Sequence, residues 1–227
     1  MDPLEREKRE RIDLLDYAWS DLRLDGSALT REGVASIIHG ELVRNVSIAE
    51  SSEVRCHERA MHTFKGLLYM QIDIDRASLQ QIAGSWEDFF DTGFRRGSPV
   101  LPHLGFTPPY HGDVAKLLDE LFRYAQSAYG AGETERKAAR VHNGLVYIYP
   151  FTEHSEMIAR AAMQYTLLRE GKPVIDLGLS EREYNQMVAD AIRTGDDIPL
   201  ARAIELAVKR KEIAFELTDD DGSLSRQ

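Results

Sequence analysis

Residues 141–175 read VHNGLVYIYPFTEHSEMIARAAMQYTLLREGKPVI. Up to Ile148 the apolar residues recur at helical spacing and continue a segment that opens near Glu133. Pro150 stops that helix, since it has no N–H to donate and its ring clashes with the preceding turn. A second helix is expected from about Glu156 to Glu170, ended by Gly171 with Pro173 just beyond. The loop between the two helices carries Tyr149, Glu153, His154 and Glu156, four polar or ionisable groups.

On either side the chain reads as helix. Residues 4–24 carry an apolar stripe of Ile12, Leu14, Leu15, Tyr17, Ala18, Trp19 and Leu22 behind a charged opening, and Asp25-Gly26 is a stop signal. Thr30 caps a helix through Val34, Ile37, Ile38, Leu42 and Val43. Further helices are expected at about 52–70 and 75–90. Between Gly93 and Pro109 the density of glycine and proline excludes a helix, leaving Val100, Leu101, Leu104 and Phe106 to form a short extended hairpin near 96–107. Helices at 113–128, 180–194 and 198–215 complete the pattern. From 216 the chain, ending TDDDGSLSRQ, reads as a disordered acidic tail. The fold class is all-α.

Composition narrows the function. A net charge of −10 argues against a general nucleic-acid binder, which needs a basic face to displace counterions. No apolar run approaches the roughly 20 residues of a membrane helix, so no membrane partner is expected. The N-terminus MDPLEREKRERIDLL has no apolar h-region, and Cys56 is the single cysteine, so the expected compartment is the reducing cytoplasm. Cys56 reads as a small buried hydrophobe.

The quoted stretch resembles the core of the Fic (Fido) family, whose motif is His-Pro-Phe-x-Asp/Glu-Gly-Asn-Gly-Arg-x-x-Arg. Pro150, Phe151, Glu153 and Arg160 match it; Tyr149 stands for the histidine, and His154-Ser155-Glu156-Met157 for Gly-Asn-Gly-Arg. Upstream, GFRRGSPVLPHLGFTPPYHGDVAKLLDEL resembles the family's flap, and EVRCHERAMHTFKGLL the helix before it. RNVSIAESS at 44–52 resembles a worn inhibitory motif with Glu50 at the glutamate position. The resemblance covers about residues 44–212. It implies a Fic-type helical bundle at 44–215, with 1–43 as a helical extension and 216–227 as the tail.

The departures from the motif bear on chemistry. The family's histidine is a general base near neutrality, whereas an ordinary tyrosine titrates near 10 and is a neutral donor. The lost glycines let N–H groups face phosphates, and the lost arginine is a rigid bidentate anion fork that Met157 cannot replace. ATP is therefore not expected in the family's pose, and Glu50, with no arginine at 157 to engage, is not expected to inhibit.

The new set points to cations instead. Tyr149, His154 and Glu156 are the candidate catalytic residues. Glu153 and Glu156 are candidate ligands for a divalent metal, a role the resemblance implies for Glu153. Glu50, Phe106, Arg160 and His142 are candidate substrate contacts. Each also has a plain structural alternative: a helix-starting carboxylate for Glu156, a core position for His142, an internal salt bridge for Arg160. His103 and His111 flank the flap prolines and read as solvent-exposed.

Three functions follow: a Fic-fold enzyme repurposed for a small cationic or metal-bound substrate, an inactive module that binds a protein partner at the flap, and a residual nucleotidyl- or phosphoryltransferase. A homodimer is an open expectation.

Overall fold

The computed structural model describes residues 3–130 and 132–224, with side chains over 6–215 apart from 131. Among these residues the elements are α1 (Pro3–Leu24), α2 (Arg31–Ile38), α3 (Ile48–Tyr69), α4 (Arg76–Ala83), α5 (Val114–Ser127), α6 (Thr134–Ile148), α7 (Ser155–Arg169), α8 (Glu181–Thr194) and α9 (Ile198–Leu224). Short 3₁₀ turns occupy Gly84–Trp86 and His111–Asp113. The all-α reading holds. No described helix is long and apolar enough to cross a membrane.

Local chemistry sets the helix starts. Thr30, Ser47, Asp75 and Ser180 each accept a hydrogen bond from the backbone N–H three residues on, satisfying a donor that the helix itself leaves open. Ser47 and Glu50 form a reciprocal capping box, which is why α3 begins four residues before the expected Ser52. The helix expected to reach Phe90 stops at Ala83, where Gly84 passes the chain into a 3₁₀ turn. The expected hairpin near 96–107 reduces to one antiparallel bridge, Leu101 to Phe106. Pro102, Pro108 and Pro109 cannot donate to a ladder. At the other end, the backbone of α9 stays helical through Leu224 where a disordered tail was expected from 216. Propagating a packed helix adds one hydrogen bond per residue fixed, so weak formers can be carried along. Residues 225–227 lie outside the described chain.

Helix α7 is the centre of the bundle. From Ser155 to Leu167 every residue except Glu156 is buried, so the helix shows no polar face. Helix α6 lies against it, with α3, α4, α5, α8 and α9 around the pair. Gly144 lets α5 approach closely: a Cβ there would stand 2.4 Å from Leu121 Cδ1. Ala18, Leu22, Val34, Ile37 and Val54 form a second cluster between α1, α2 and α3. Cys56 is fully buried beside Arg59, and burial pushes its thiol up to about 11.

One polar thread crosses this core. Arg160 on α7 is buried and ion-pairs through Nε with Asp21 of α1, and through Nη2 with Asp25 at 2.6 Å. The other carboxylate oxygen of Asp21 accepts from His57 Nε2 at 2.8 Å, while His57 Nδ1 donates to Glu53 O at 2.9 Å. With acceptors at both ring nitrogens, His57 is held as an imidazolium. Burial opposes that charge, but the Asp21 carboxylate outweighs it and raises the His57 pKa. Burial likewise disfavours the Asp21 carboxylate, and Arg160 and His57 together still hold it below its ordinary value.

A raised folded-state value stabilises the protein below the unfolded histidine pKa of about 6.5, and that contribution is lost as pH rises through the folded value. Urea denaturation from pH 6 upward is therefore expected to show stability falling through the folded-state titration of His57. Asp21→Asn leaves two buried cations poorly paired and is expected to cost about 3–5 kcal/mol in the same measurement. A pH-independent midpoint, or a neutral D21N, would contradict this account.

Candidate functional site

The loop between α6 and α7 is shaped by two residues in left-handed backbone conformations. Tyr149, at the C-cap of α6, has φ 49°, and His154, at the N-cap of α7, has φ 56°. Neither is glycine, so each carries some strain. Phe151 fixes the loop from below. It is fully buried, with ring centroids 6.2 Å from Phe90 and 5.8 Å from Phe94. Ser155 closes the turn, accepting from Phe151 N at 2.9 Å and donating to Phe151 O at 3.0 Å.

The flap is clamped to this loop by Arg95, which is buried. Its Nε donates to Tyr149 O at 2.6 Å, Nη1 to Gly97 O at 2.6 Å, and Nη2 to Ile148 O at 3.2 Å and to Pro109 O. Its backbone N–H donates to Pro150 O at 2.8 Å. A cation at the C-terminal end of α6 satisfies carbonyls the helix leaves open. Sequence reading did not single out Arg95, because a guanidinium that binds only carbonyls has no partner residue type to search for.

The tip of the flap is tied as well. His103 Nε2 donates to Glu156 Oε1 at 2.8 Å. His103 is about half exposed, whereas the Glu156 side chain is mostly covered. Glu156 sits in the first turn of α7, where the helix dipole favours a carboxylate. His103 also lines a cavity of about 360 Å³ with Glu181, Arg182, Asn185, Gln186 and Ala189 of α8.

Tyr149 is nearly buried, and its hydroxyl is pushed up to about 12 by burial and then by the charges of Glu156, Asp25 and Glu153. It is a neutral donor and not a base. Glu153 and His154 are exposed, the His154 ring standing 5.0 Å from Phe90. Met157 is buried and places a thioether where the motif has its arginine. Glu53 of α3 adds a carboxylate whose pKa burial raises, with Asp25, Asp21 and His154 among the groups acting on it. The charges acting on Tyr149 are those of carboxylates: Glu156, Asp25 and Glu153.

Several expected contacts sit elsewhere. Arg160 is not free for substrate, being committed to Asp21 and Asp25 under the Tyr184 ring, whose centroid is 5.3 Å from its guanidinium carbon. His142 is a core residue. Its Nδ1 donates to Asn143 Oδ1 at 2.9 Å, and its Nε2 accepts from the Tyr184 hydroxyl at 2.7 Å. Burial and the nearby Arg160 charge lower it to about 4, so it stays neutral. Glu50 is spent on the α3 capping box, its carboxylate accepting from the Ser47 backbone N–H and hydroxyl. Phe106 is partly buried and stacks on Tyr147 of α6, with ring centroids 6.1 Å apart. Among the described residues no three histidine, cysteine or carboxylate side chains converge as a metal site. Of the two carboxylates expected to hold a metal, Glu156 is bonded to His103 and Glu153 is exposed.

Residues 56–167 match the model of the Fic/DOC family. The chain is 25% identical over 207 residues to the protein adenylyltransferase Fic of Drosophila yakuba, covering 88% of this chain and 41% of that protein, so it spans about two fifths of the relative's length. Among solved structures it resembles Fic-1 of C. elegans, with a TM-score of 0.78, 20% identity, and coverage of 96% of this chain and 68% of that one. A Fic-domain signalling protein of Bacteroides thetaiotaomicron gives a TM-score of 0.73 at 17% identity, covering 92% and 90%.

Arg95→Ala is expected to leave several buried carbonyls without donors and to cost about 2–4 kcal/mol. Hydrogen exchange over 96–110 should accelerate more than exchange in α6 or α7. Unchanged flap protection would show that Arg95 does not hold it.

Proposed function

Because the chain carries a Fic/DOC-family domain whose motif loop presents carboxylates where the family presents a phosphate cradle, we propose that it is a Fic-fold protein repurposed to handle a small amine-bearing or otherwise cationic ligand. One observation carries this reading. Tyr149 is held neutral by burial first and then by the charges of Glu156, Asp25 and Glu153, while the one motif guanidinium is neutralised within the core. An anion brought to this loop meets repulsion of about 1 kcal/mol per charge at 4 Å in water, and several at an effective dielectric near 20. A cation gains by the same amounts. The Tyr149 hydroxyl oxygen accepts a hydrogen bond from the ligand's N–H, and the exposed Glu153 supplies its counter-charge.

The adenylyl transfer named for the Drosophila relative is the competing reading. It needs a base at 149 and a phosphate partner at 157, and neither position supplies one. The interaction-module reading draws support from the exposure of Glu153 and His154 and from the exposed Val100 and Tyr110 on the flap.

Calorimetry with Mg²⁺ and ATP is expected to give no binding at micromolar nucleotide. A panel of primary amines and polyamines is expected to raise the melting temperature of the wild type and to lose that effect in Glu153→Gln and Tyr149→Phe, both folded. A micromolar ATP constant or radiolabelled adenylyl transfer would establish the relative's chemistry instead. Silent amines with normal protein-partner capture, lost on Tyr110→Ala, would establish the module.

A further inference from the structure

We propose that His103, at the flap tip, is the proton acceptor of this site and that Glu156 is its positioning residue. The inference rests on the motif recess being a working site, as above, but its test needs no knowledge of the natural ligand.

The acid–base inventory around the loop leads to it. Tyr149 keeps its proton up to about 12. His142 has both ring nitrogens occupied inside the core, and His57 is held doubly protonated between Asp21 and Glu53 O. Neither has a lone pair to offer. His154 is exposed and packs on Phe90, with no carboxylate bonded to its ring. His103 alone among the imidazoles near the loop joins three features. It is half exposed, it is bonded through Nε2 to a carboxylate at 2.8 Å, and it borders a cavity.

The bond to Glu156 selects the tautomer of the neutral ring. Nε2 carries the hydrogen that the carboxylate accepts, and in the neutral ring the lone pair is then on Nδ1. Glu156 comes from the rigid start of α7 and is two-point held, by the helix dipole and by His103 itself. A base steered by a carboxylate fixed on a helix is the arrangement that general-base catalysis requires. The neighbouring wall is polar: Arg182, Asn185 and Gln186 of α8 offer donors and acceptors, so a hydroxyl- or amine-bearing ligand would be held there by hydrogen bonds. The step is a proton transfer. The ligand O–H or N–H bond breaks, its electron pair stays on the ligand atom, a new N–H bond forms at Nδ1, and the imidazolium is stabilised by Glu156.

The test uses p-nitrophenyl acetate as a small reporter of a free, oriented imidazole. Nδ1 attacks the ester carbonyl and p-nitrophenolate leaves; the Nε2 proton passes to the Glu156 carboxylate. Water then cleaves the N-acetylimidazole, leaving acetate, the Nε2–H ring and one proton released to solvent as Glu156 is deprotonated again. The wild-type chain is expected to hydrolyse the ester above background, and His103→Ala to lose that excess, on the order of tenfold or more. Glu156→Ala should lower it in part, and the double variant should be no slower than His103→Ala, because the two residues act as one unit. His62→Ala, on the exposed face of α3, is the control expected at wild-type rate. Nitrogen-15 spectra of the neutral protein should show His103 as the Nε2–H tautomer, and a mixture in Glu156→Ala. Circular dichroism checks that each variant folds. A wild type at background, a His103→Ala at wild-type rate, or additive effects of the two substitutions would overturn the proposal. Failure of the amine panel with a positive ester result would remove the cationic ligand and leave the base in place.

Discussion

A guanidinium placed in the middle of a helix that is buried on every side has to be paired, and the pairing of Arg160 organises this molecule. Removing water from an unpaired charge costs several kcal/mol, so α7 can occupy the centre of the bundle only if a carboxylate meets it there. Asp21 of α1 does so, and Asp21 is balanced in turn by His57 of α3. Three helices are thereby fixed in register. The segment expected to be an N-terminal extension reaches the centre, because it delivers both Asp21 and Asp25 to Arg160. The same register brings Glu53 alongside.

The loop is held in one path, and its charge departs from that of the motif it resembles. Left-handed backbone at Tyr149 and His154, the Phe151 anchor and the Ser155 turn lock hold the chain in a fixed path between two packed helices. What changes is the charge presented along that path. The flap above it is secured by two unlike fastenings. At its base Arg95 grips carbonyls and keeps its charge throughout the ordinary pH range. At its tip, one exposed imidazole meets one carboxylate. The base is buried and the tip is half open to solvent.

The helices were legible because each carries an apolar stripe bounded by a cap or a breaker, as at Thr30, Ser180 and Gly171. The errors have local causes. Ser47-x-x-Glu50 is a capping-box signature, and reading it as a functional glutamate misplaced the start of α3 and overlooked Glu53. Prolines in the flap were recognised as helix breakers, yet their inability to donate also removes a ladder, leaving one bridge. The site was only half legible. The acidic loop and the missing phosphate arginine stand in the sequence itself. The His103–Glu156 bond joins residues 53 apart, and Arg160 meets Asp21 across 139. No periodicity links such positions. His103 read as an exposed loop histidine, which it is, and its partner became visible only with the flap folded onto α7.

Cys56 lends the molecule a property unrelated to its chemistry. The thiol has no accessible surface and holds its proton to about 11, so thiolate-directed reagents meet an inert side chain while the bundle is closed. It lies in the middle of α3, one residue from His57, in the part of the core that the Asp21 pairing holds together. Alkylation of the native chain therefore reports opening of that core, and a second cysteine placed on the flap surface can carry a fluorophore or spin label without competition from the first.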